Sequence, residues 1–459
     1  MFRIGLINRI LNFLLFSFAV FILSITIFFL LACTFYGAPA VFPKNSSAAA
    51  VSPDSAIYKL NGSTASITGK TFFASGQNQS AITVSNSGSL ALTNCRIITS
   101  GNTSSGDKSS FYGLNAGALA ASKGKITISN CSIKTTGTGA NGVFAYGSGS
   151  SVTLYKDTII CEGNLGHGVD ATFGGSIILT DAVIKTGPGS NSAALATDRG
   201  GGSINADRCK IMSTGKDAPG IYSTGRIDVA NSVVTSSGSE AAVIEGSNFI
   251  SLMNTSLSTA AEKMDDKWGI LIYQSFSGDA EGQNGNFSMT GGELNYTASS
   301  GPLFFVTNTR ANINLKEISI ASIASGILIK ASVYKRWSSA TGGTVLLNAD
   351  AQVLNGDIIA DSCSSVNIVL QNGSSLKGAV NNSKTARIAA VTLDSSSKWI
   401  LTADSYVTSL LGVSIDQGDL IGNITGNSFN VYYRSSDPAN KEFGGKAYSL
   451  VNGGRLIPN

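Results

Sequence analysis

The chain has 459 residues, 13% of them charged and 43% hydrophobic, with 52 glycines, 8 prolines, 6 cysteines and 1 histidine. That apolar content offsets the ordering entropy and excludes a disordered chain, despite the richness in Gly, Ser, Thr and Asn. A formal net charge of +4 without any Lys/Arg block excludes the footprint of a nucleic-acid binder, and a single histidine with no Cys-x-x-Cys pair argues against a zinc or other metal site.

In chain order, Arg3 and Arg9 precede an uncharged run from Ile10 to Cys33, predicted as a hydrophobic helix that directs export. Residues 1–40 then have three open fates. The run is long enough to stay as a membrane anchor, Ala38-Pro39-Ala40 offers a small-residue cleavage site, and Leu30-Leu31-Ala32-Cys33 has the form of a lipoprotein box with Cys33 as the lipidated residue. Each fate leaves the arginines inside and places residue 41 onward outside the cytoplasm, at the cell surface or beyond it. Residues 41–56, with Pro43, Pro53 and small polar residues, read as a linker lifting the body off the membrane.

From Leu90 to Ile320 one spacing recurs nine times: an apolar residue, another two positions on, and a third seven positions after the first. Examples are Leu90-Leu92-Ile97, Ile126-Ile128-Ile133, Val152-Leu154-Ile159, Ile227-Val229-Val234 and Ile313-Leu315-Ile320. The repeats begin mostly about 23 to 27 residues apart, the mark of a solenoid. Each predicts one coil: a first strand of alternating residues, a second strand through the third apolar position, and a third short strand such as Gly168-Val169-Asp170-Ala171. Gly137, Gly163, Gly187, Gly215 and Gly238 are expected to close the second strand with permissive dihedrals. The fold class is therefore all-β, a right-handed parallel β-helix with about three strands per coil over residues 57–343. A less regular continuation and cap is expected over 344–459.

Coil-to-coil columns add detail. Four positions after the first apolar residue lie Asn94, Asn130, Lys156, Asp181, Arg208, Asn231, Asn254, Gly291 and Glu317, where stacked Asn side chains are expected to bond each other and the turn amides. The next column holds Cys95, Cys131, Asp157, Ala182, Cys209, Ser232 and Thr255, small residues at a bend. Cys95 and Cys131 fall in successive coils, close enough for a disulfide in an oxidising compartment. Cys161 and Cys363 fall outside this column, so a disulfide framework is not the organising principle.

Two interruptions break the rhythm. Residues 260–268, followed by Tyr273, Asp279 and Glu281, concentrate charge around Trp268, and 333–337 is basic and aromatic, with Arg336 and Trp337. Loops leaving a rigid scaffold are where binding resides, so Trp268, Tyr273, Arg336 and Trp337 are candidate ligand-binding residues; the alternative is that both loops only close gaps between coils. Glu245 is a further ligand-binding candidate; aligned with Ala145, Ala171, Ala196 and Ser223, it would aim inward. It is then either released to solvent by a bulge or held in a buried contact with a neighbouring coil.

The segments Tyr112-Gly113-Leu114-Asn115-Ala116, Gly166-His167-Gly168-Val169-Asp170-Ala171-Thr172, Ala196-Thr197-Asp198-Arg199-Gly200-Gly201-Gly202 and Ser223-Thr224-Gly225 carry a resemblance, as do Trp399 to Val407 and Gly444 to Leu450. The pattern is similar to the right-handed β-helix, pectin-lyase-like family, especially its exported adhesin-like or autotransporter-passenger-like bacterial members. That resemblance implies the fold and a surface location but not an activity. Lyases of the family use calcium-binding carboxylates with a basic residue, and its hydrolases use grouped aspartates followed by Gly-His-Gly. Gly166-His167-Gly168 matches the tripeptide, yet the preceding coils supply only Asp157, and His167 aligns with Asn141 and Pro219 as a turn residue. His167, Asp198 and Arg199 stand as the catalytic candidates, Asp198 and Arg199 alternatively as an ion pair bracing their own turn. No cofactor is expected, with calcium entering only for an enzyme. The expected function is an exported, non-catalytic surface protein binding a polysaccharide or a host or cell-surface protein, as an adhesin does; the alternatives are a polysaccharide lyase or glycoside hydrolase, and a purely structural envelope component.

Overall fold

The computed structural model describes residues 55–321, 323–337 and 341–459. The hydrophobic helix, the cleavage and lipidation sites including Cys33, and the linker as far as residue 54 lie outside the described residues. The remainder is a parallel β-solenoid, as the repeat predicts.

Coils form because their strands alternate. In Ser151–Tyr155, Val152 and Leu154 are fully buried while Thr153 and Tyr155 face solvent. This strand pairs in parallel with Lys125–Ser129 on one side and Ser176–Thr180 on the other, so Leu154 sits between Ile128 and Leu179. Thr158–Cys161 likewise places Ile159 between Ile133 and Ile184. Burying one such side chain is worth about 1.5–3 kcal/mol, and a slip of one residue would turn every apolar member to solvent, so the register is strongly fixed. First and second strands together make a 22-stranded sheet, and third strands a 12-stranded sheet from Ala56–Asn61 to Asp357–Ala360.

Between first and second strands the chain turns through one residue in the left-handed region. Asn94, Asn130, Lys156, Asp181, Arg208, Asn231, Asn254 and Glu317 all have φ between +47° and +57°. Asn tolerates that conformation best among residues with a side chain, which explains its abundance here. The expected Asn-to-Asn stacking is not what unites the column, because Lys156, Arg208 and Glu317 share the same backbone.

The following column is a ladder. The amide of Cys95 donates to Cys131 Sγ (3.1 Å), that of Cys131 to Asp157 Oδ1 (2.6 Å), that of Cys209 to Ser232 Oγ (2.9 Å) and that of Ser232 to Thr255 Oγ1 (3.4 Å). Each side chain satisfies the buried amide one coil earlier, as the interior requires. Cys95 and Cys131 are accordingly free thiols, and the sulfur of Cys131 accepts a backbone bond in place of the disulfide considered above.

The closing glycines have a different cause from the one expected. A Cβ on Gly163 would lie 2.0 Å from the carbonyl oxygen of Gly137, and one on Gly137 1.9 Å from that of Gly101. These glycines are selected by close stacking of backbones, not by dihedral freedom. In the next coil Gly189 holds the stacked position, with its Cβ place 2.2 Å from the Gly163 oxygen, while Gly187 lies outside the stack with φ +112°.

Beyond residue 343 the stack goes on: Thr344–Asp350 pairs in register with Arg310–Lys316 and Ser365–Gln371. Near the end the pairing turns antiparallel, Tyr448–Val451 with Arg455–Pro458. Phe443 is buried against the rings of Tyr433 and Tyr448. Together they cover edges that would otherwise recruit another strand.

Candidate functional site

The third strands turn one set of residues to the core and the other to an outer face. In Val169–Thr172, Val169 and Ala171 join the core while Asp170 and Thr172 alternate with them. Parallel register places Asp170 between Phe144 and Ala196, followed by Tyr222, Val243, Leu271, Phe305 and Lys330 in later coils.

Most of this outer face is covered by chain. The helix Gly106–Tyr112, capped by the Ser105 hydroxyl and ended by Gly113 at φ +70°, lies over its first part. Beneath it a separate apolar cluster forms from Ala116, Leu119, Ala121 and Phe144. Tyr112 stacks on Phe173 at 5.7 Å, and Thr172 Oγ1 donates to the Phe111 carbonyl (2.8 Å).

Under this cover the structure brings together two of the predicted candidates and one that was missed. His167, Asp170 and Asp198 each offer a ligand atom within 4.8 Å of the others, and all three are buried, Asp170 completely. His167 Nε2 lies 4.0 Å from Asp198 Oδ2, beyond hydrogen-bond range. The Asp198 amide donates to Asp170 Oδ1 (3.3 Å) and the His167 amide to Asn141 Oδ1 (2.7 Å). Burial pushes the His167 imidazole down to about 4, so it is neutral. Burial first, and then the mutual proximity of carboxylates, raises Asp170 and Asp198 well above the usual range. His167 thus lies in the turn before the third strand, where its alignment with Asn141 and Pro219 puts it, and is buried there.

Arg199 does not brace its own turn with Asp198. Its guanidinium reaches Asp279 of the first interruption (Nη2 to Oδ1 2.6 Å) and lies 4.0 Å over the Phe111 ring. It therefore ties that loop to the helix across the top of the cluster.

Glu245 is buried, but on the outer face. Ile221 pairs with Ala242, 21 positions on, whereas Val169 pairs with Leu195, 26 positions on; the shorter turn moves Glu245 out of the Ala145 and Ala171 column and opposite Tyr273. It accepts hydrogen bonds from Tyr222 Oη (2.7 Å), Tyr273 Oη (2.8 Å) and the Ser275 hydroxyl. The contact with neighbouring coils holds, and the solvent-releasing bulge and the inward orientation do not.

Both interruptions settle on this same face. Trp268 stacks on Phe305 at 4.8 Å, Tyr334 meets Trp337 edge-on at 5.2 Å, and Trp337 packs against Tyr273 at 5.4 Å and Phe276 at 6.3 Å. The Trp268 indole donates to Glu240 Oε1 (2.8 Å), and Arg336 Nε pairs with Asp266 Oδ2 (2.9 Å). Between the loops lies a cleft of about 640 Å³ lined by Trp268, Phe305, Lys330, Tyr334, Lys335 and Arg336, with Asp265, Asp266 and Asp361 among its acids. Tyr273 joins the two regions, its hydroxyl on Glu245 and its ring on Trp337.

Sequence reasoning missed Asp170, Tyr222, Phe305 and Tyr334. The available signal was strand alternation carried forward from the Gly-His-Gly tripeptide: Asp170 and Asp198 both stand on outward positions of successive coils, whereas the search for partners of His167 looked to preceding coils.

No family model matches the chain. Over 348 residues, 64% of its length, it is 25% identical to the BrkA autotransporter of Bordetella pertussis, and the match spans 32% of that protein, so the chain covers about a third of this relative's length. The parallel solenoid and this distant likeness together fit an autotransporter-passenger-like surface protein; they do not single out the pectin-lyase-like family.

Proposed function

We propose that the protein is an exported, non-catalytic surface solenoid that binds a polysaccharide or a surface protein in the cleft between its two interrupting loops, in the manner of an adhesin. The observation that carries this reading is that residues 265–268 and 332–336, far apart in sequence, line one aromatic and charged cleft on one face. Rings at the edge of such a cleft stack on sugar rings or on apolar side chains, and the mixed Lys, Arg and Asp lining supplies orienting polar contacts. A glycan array and a cell-binding screen of the chain test it, run beside Tyr334→Ala, which removes a ring lining the cleft. Binding by the parent and its loss in the variant are expected; equal binding by both, or none by the parent, overturns the reading.

A polysaccharide-cleaving reading draws on Asp170 and Asp198 beside His167. Catalysis needs an acid and a base that touch the glycosidic bond from opposite sides. Here Asp170 is fully buried beneath chain, which keeps it from a sugar. Release of reducing sugar from acidic glycans, abolished by Asp198→Asn, would favour the enzyme.

A further inference from the structure

We propose that His167, Asp170 and Asp198 form a binding site for a single divalent transition-metal ion, of zinc or manganese character, which locks the covered outer face together. The inference is independent of what the cleft binds.

The first support is convergence. Two successive coils deliver one imidazole nitrogen and two carboxylates to one point, their ligand atoms all within 4.8 Å. Three atoms no more than 4.8 Å apart leave a point within about 2.8 Å of all of them, so small rotations bring the atoms to zinc-ligand distances of about 2.0–2.2 Å.

The second support is unmet bonding. Asp170 is completely buried, and its Oδ2 has no hydrogen-bond partner among the described residues; His167 Nδ1 is in the same position. Buried carboxylate and imidazole atoms without partners are costly and call for an explanation in a native structure.

The third is charge. Asp170, Asp198, Glu245 and Asp279 crowd this face, and the nearby cation, Arg199, is committed to Asp279. A divalent ion would supply the opposing positive charge that the two aspartates lack. The donor set selects the ion: an imidazole suits zinc and a pair of carboxylates suits manganese, whereas calcium prefers oxygen alone. Because the helix Gly106–Tyr112 and the Arg199–Asp279 pair close the site, the ion's role is structural, with a water or the neighbouring Ser110 hydroxyl completing its coordination.

The test uses the full chain, stripped with chelator and dialysed separately against Zn²⁺, Mn²⁺ and Ca²⁺, with elemental analysis and thermal unfolding. Expected is about one equivalent of Zn²⁺ or Mn²⁺ per chain, a rise of several degrees in the unfolding midpoint, and loss of both in Asp170→Asn and His167→Gln. Asp228→Asn, which alters a half-buried carboxylate paired with Arg226 outside the cluster, should keep full uptake. If Asp170→Asn fails to fold, His167→Gln carries the comparison. The proposal is overturned by no stoichiometric uptake in the parent, by uptake of Ca²⁺ alone, or by uptake unchanged in His167→Gln. A pair of aspartates that merely share a proton would give the first of these results, with Asp170→Asn as stable as the parent or more so.

Discussion

The two sides of the third-strand sheet follow different rules although they belong to the same strands. Inward, Ala145, Ala171, Ile221, Ile244 and Ile272 repeat one requirement, an apolar side chain of the size its neighbours leave. Outward, Phe144, Asp170, Tyr222, Phe305 and Lys330 occupy a single column with no common chemistry. The inner surface is constrained by packing that every coil shares; the outer one is constrained locally, by whichever loop lies over it. A solenoid can thus keep its scaffold constant while its outer chemistry varies.

The largest expected effect falls on the shared scaffold. Gly163→Ala would drive a methyl against the Gly137 carbonyl, and neither backbone can yield without disturbing further coils. A loss of about 3 kcal/mol or more is expected in denaturant unfolding; a loss below about 1 kcal/mol would show that the glycine stack is incidental.

Next comes the local chemistry of the outer face. Glu245→Ala leaves the hydroxyls of Tyr222, Tyr273 and Ser275 without their shared acceptor. About 2 kcal/mol should be lost, with a change in tryptophan fluorescence because Tyr273 packs on Trp337. An unchanged emission spectrum would separate Glu245 from the cleft.

A pH measurement sharpens the contrast within the scaffold. Burial pushes Asp157 up to about 6 from 3.8, despite the amide bonds from Cys131 and Tyr155. A carboxyl raised on folding favours the folded state fully below its unfolded value and loses that contribution as pH rises through about 6. Asp157→Ser keeps a short acceptor, as Ser232 does, and removes the titration. Between pH 4 and pH 7.5 the parent should therefore lose stability relative to the variant, by on the order of 1–2 kcal/mol. A gap that does not change with pH would place the ionisation elsewhere.

The smallest stability effect is expected at the cleft rim. Arg336 is exposed and paired with Asp266, so Arg336→Ala should change stability by less than about 0.5 kcal/mol. Its effect should appear in binding, and a variant that binds as the parent does would remove Arg336 from the cleft's recognition surface.

The coil was legible in the sequence because apolar positions such as Val152, Leu154 and Ile159 report their own burial through a period that recurs. The Asn column was visible as a column, but its cause was backbone conformation, which residue type conveys only indirectly. Glu245 was misplaced by one residue because its coil is shorter and Ala241 stands where Gly142, Gly168 and Gly220 mark the third strand in other coils, which removes the marker for alignment. The helix over residues 106–112 is too short for a periodic signal, so the cover it lays over His167 and Asp170 could not be foreseen. Trp268, Tyr273, Arg336 and Trp337 were found from a break in rhythm, but that two breaks share one face follows from coil geometry alone.

The ladder that runs through Cys95, Cys131 and Asp157 has one further consequence. Cys131 accepts from the amide of Cys95 and offers its own amide to Asp157, so this coil carries both halves of its bonding with it. The ladder therefore sets no limit on the number of coils; what fixes the length is the outer face, where Arg199 with Asp279 and Thr172 with Phe111 tie distant coils together.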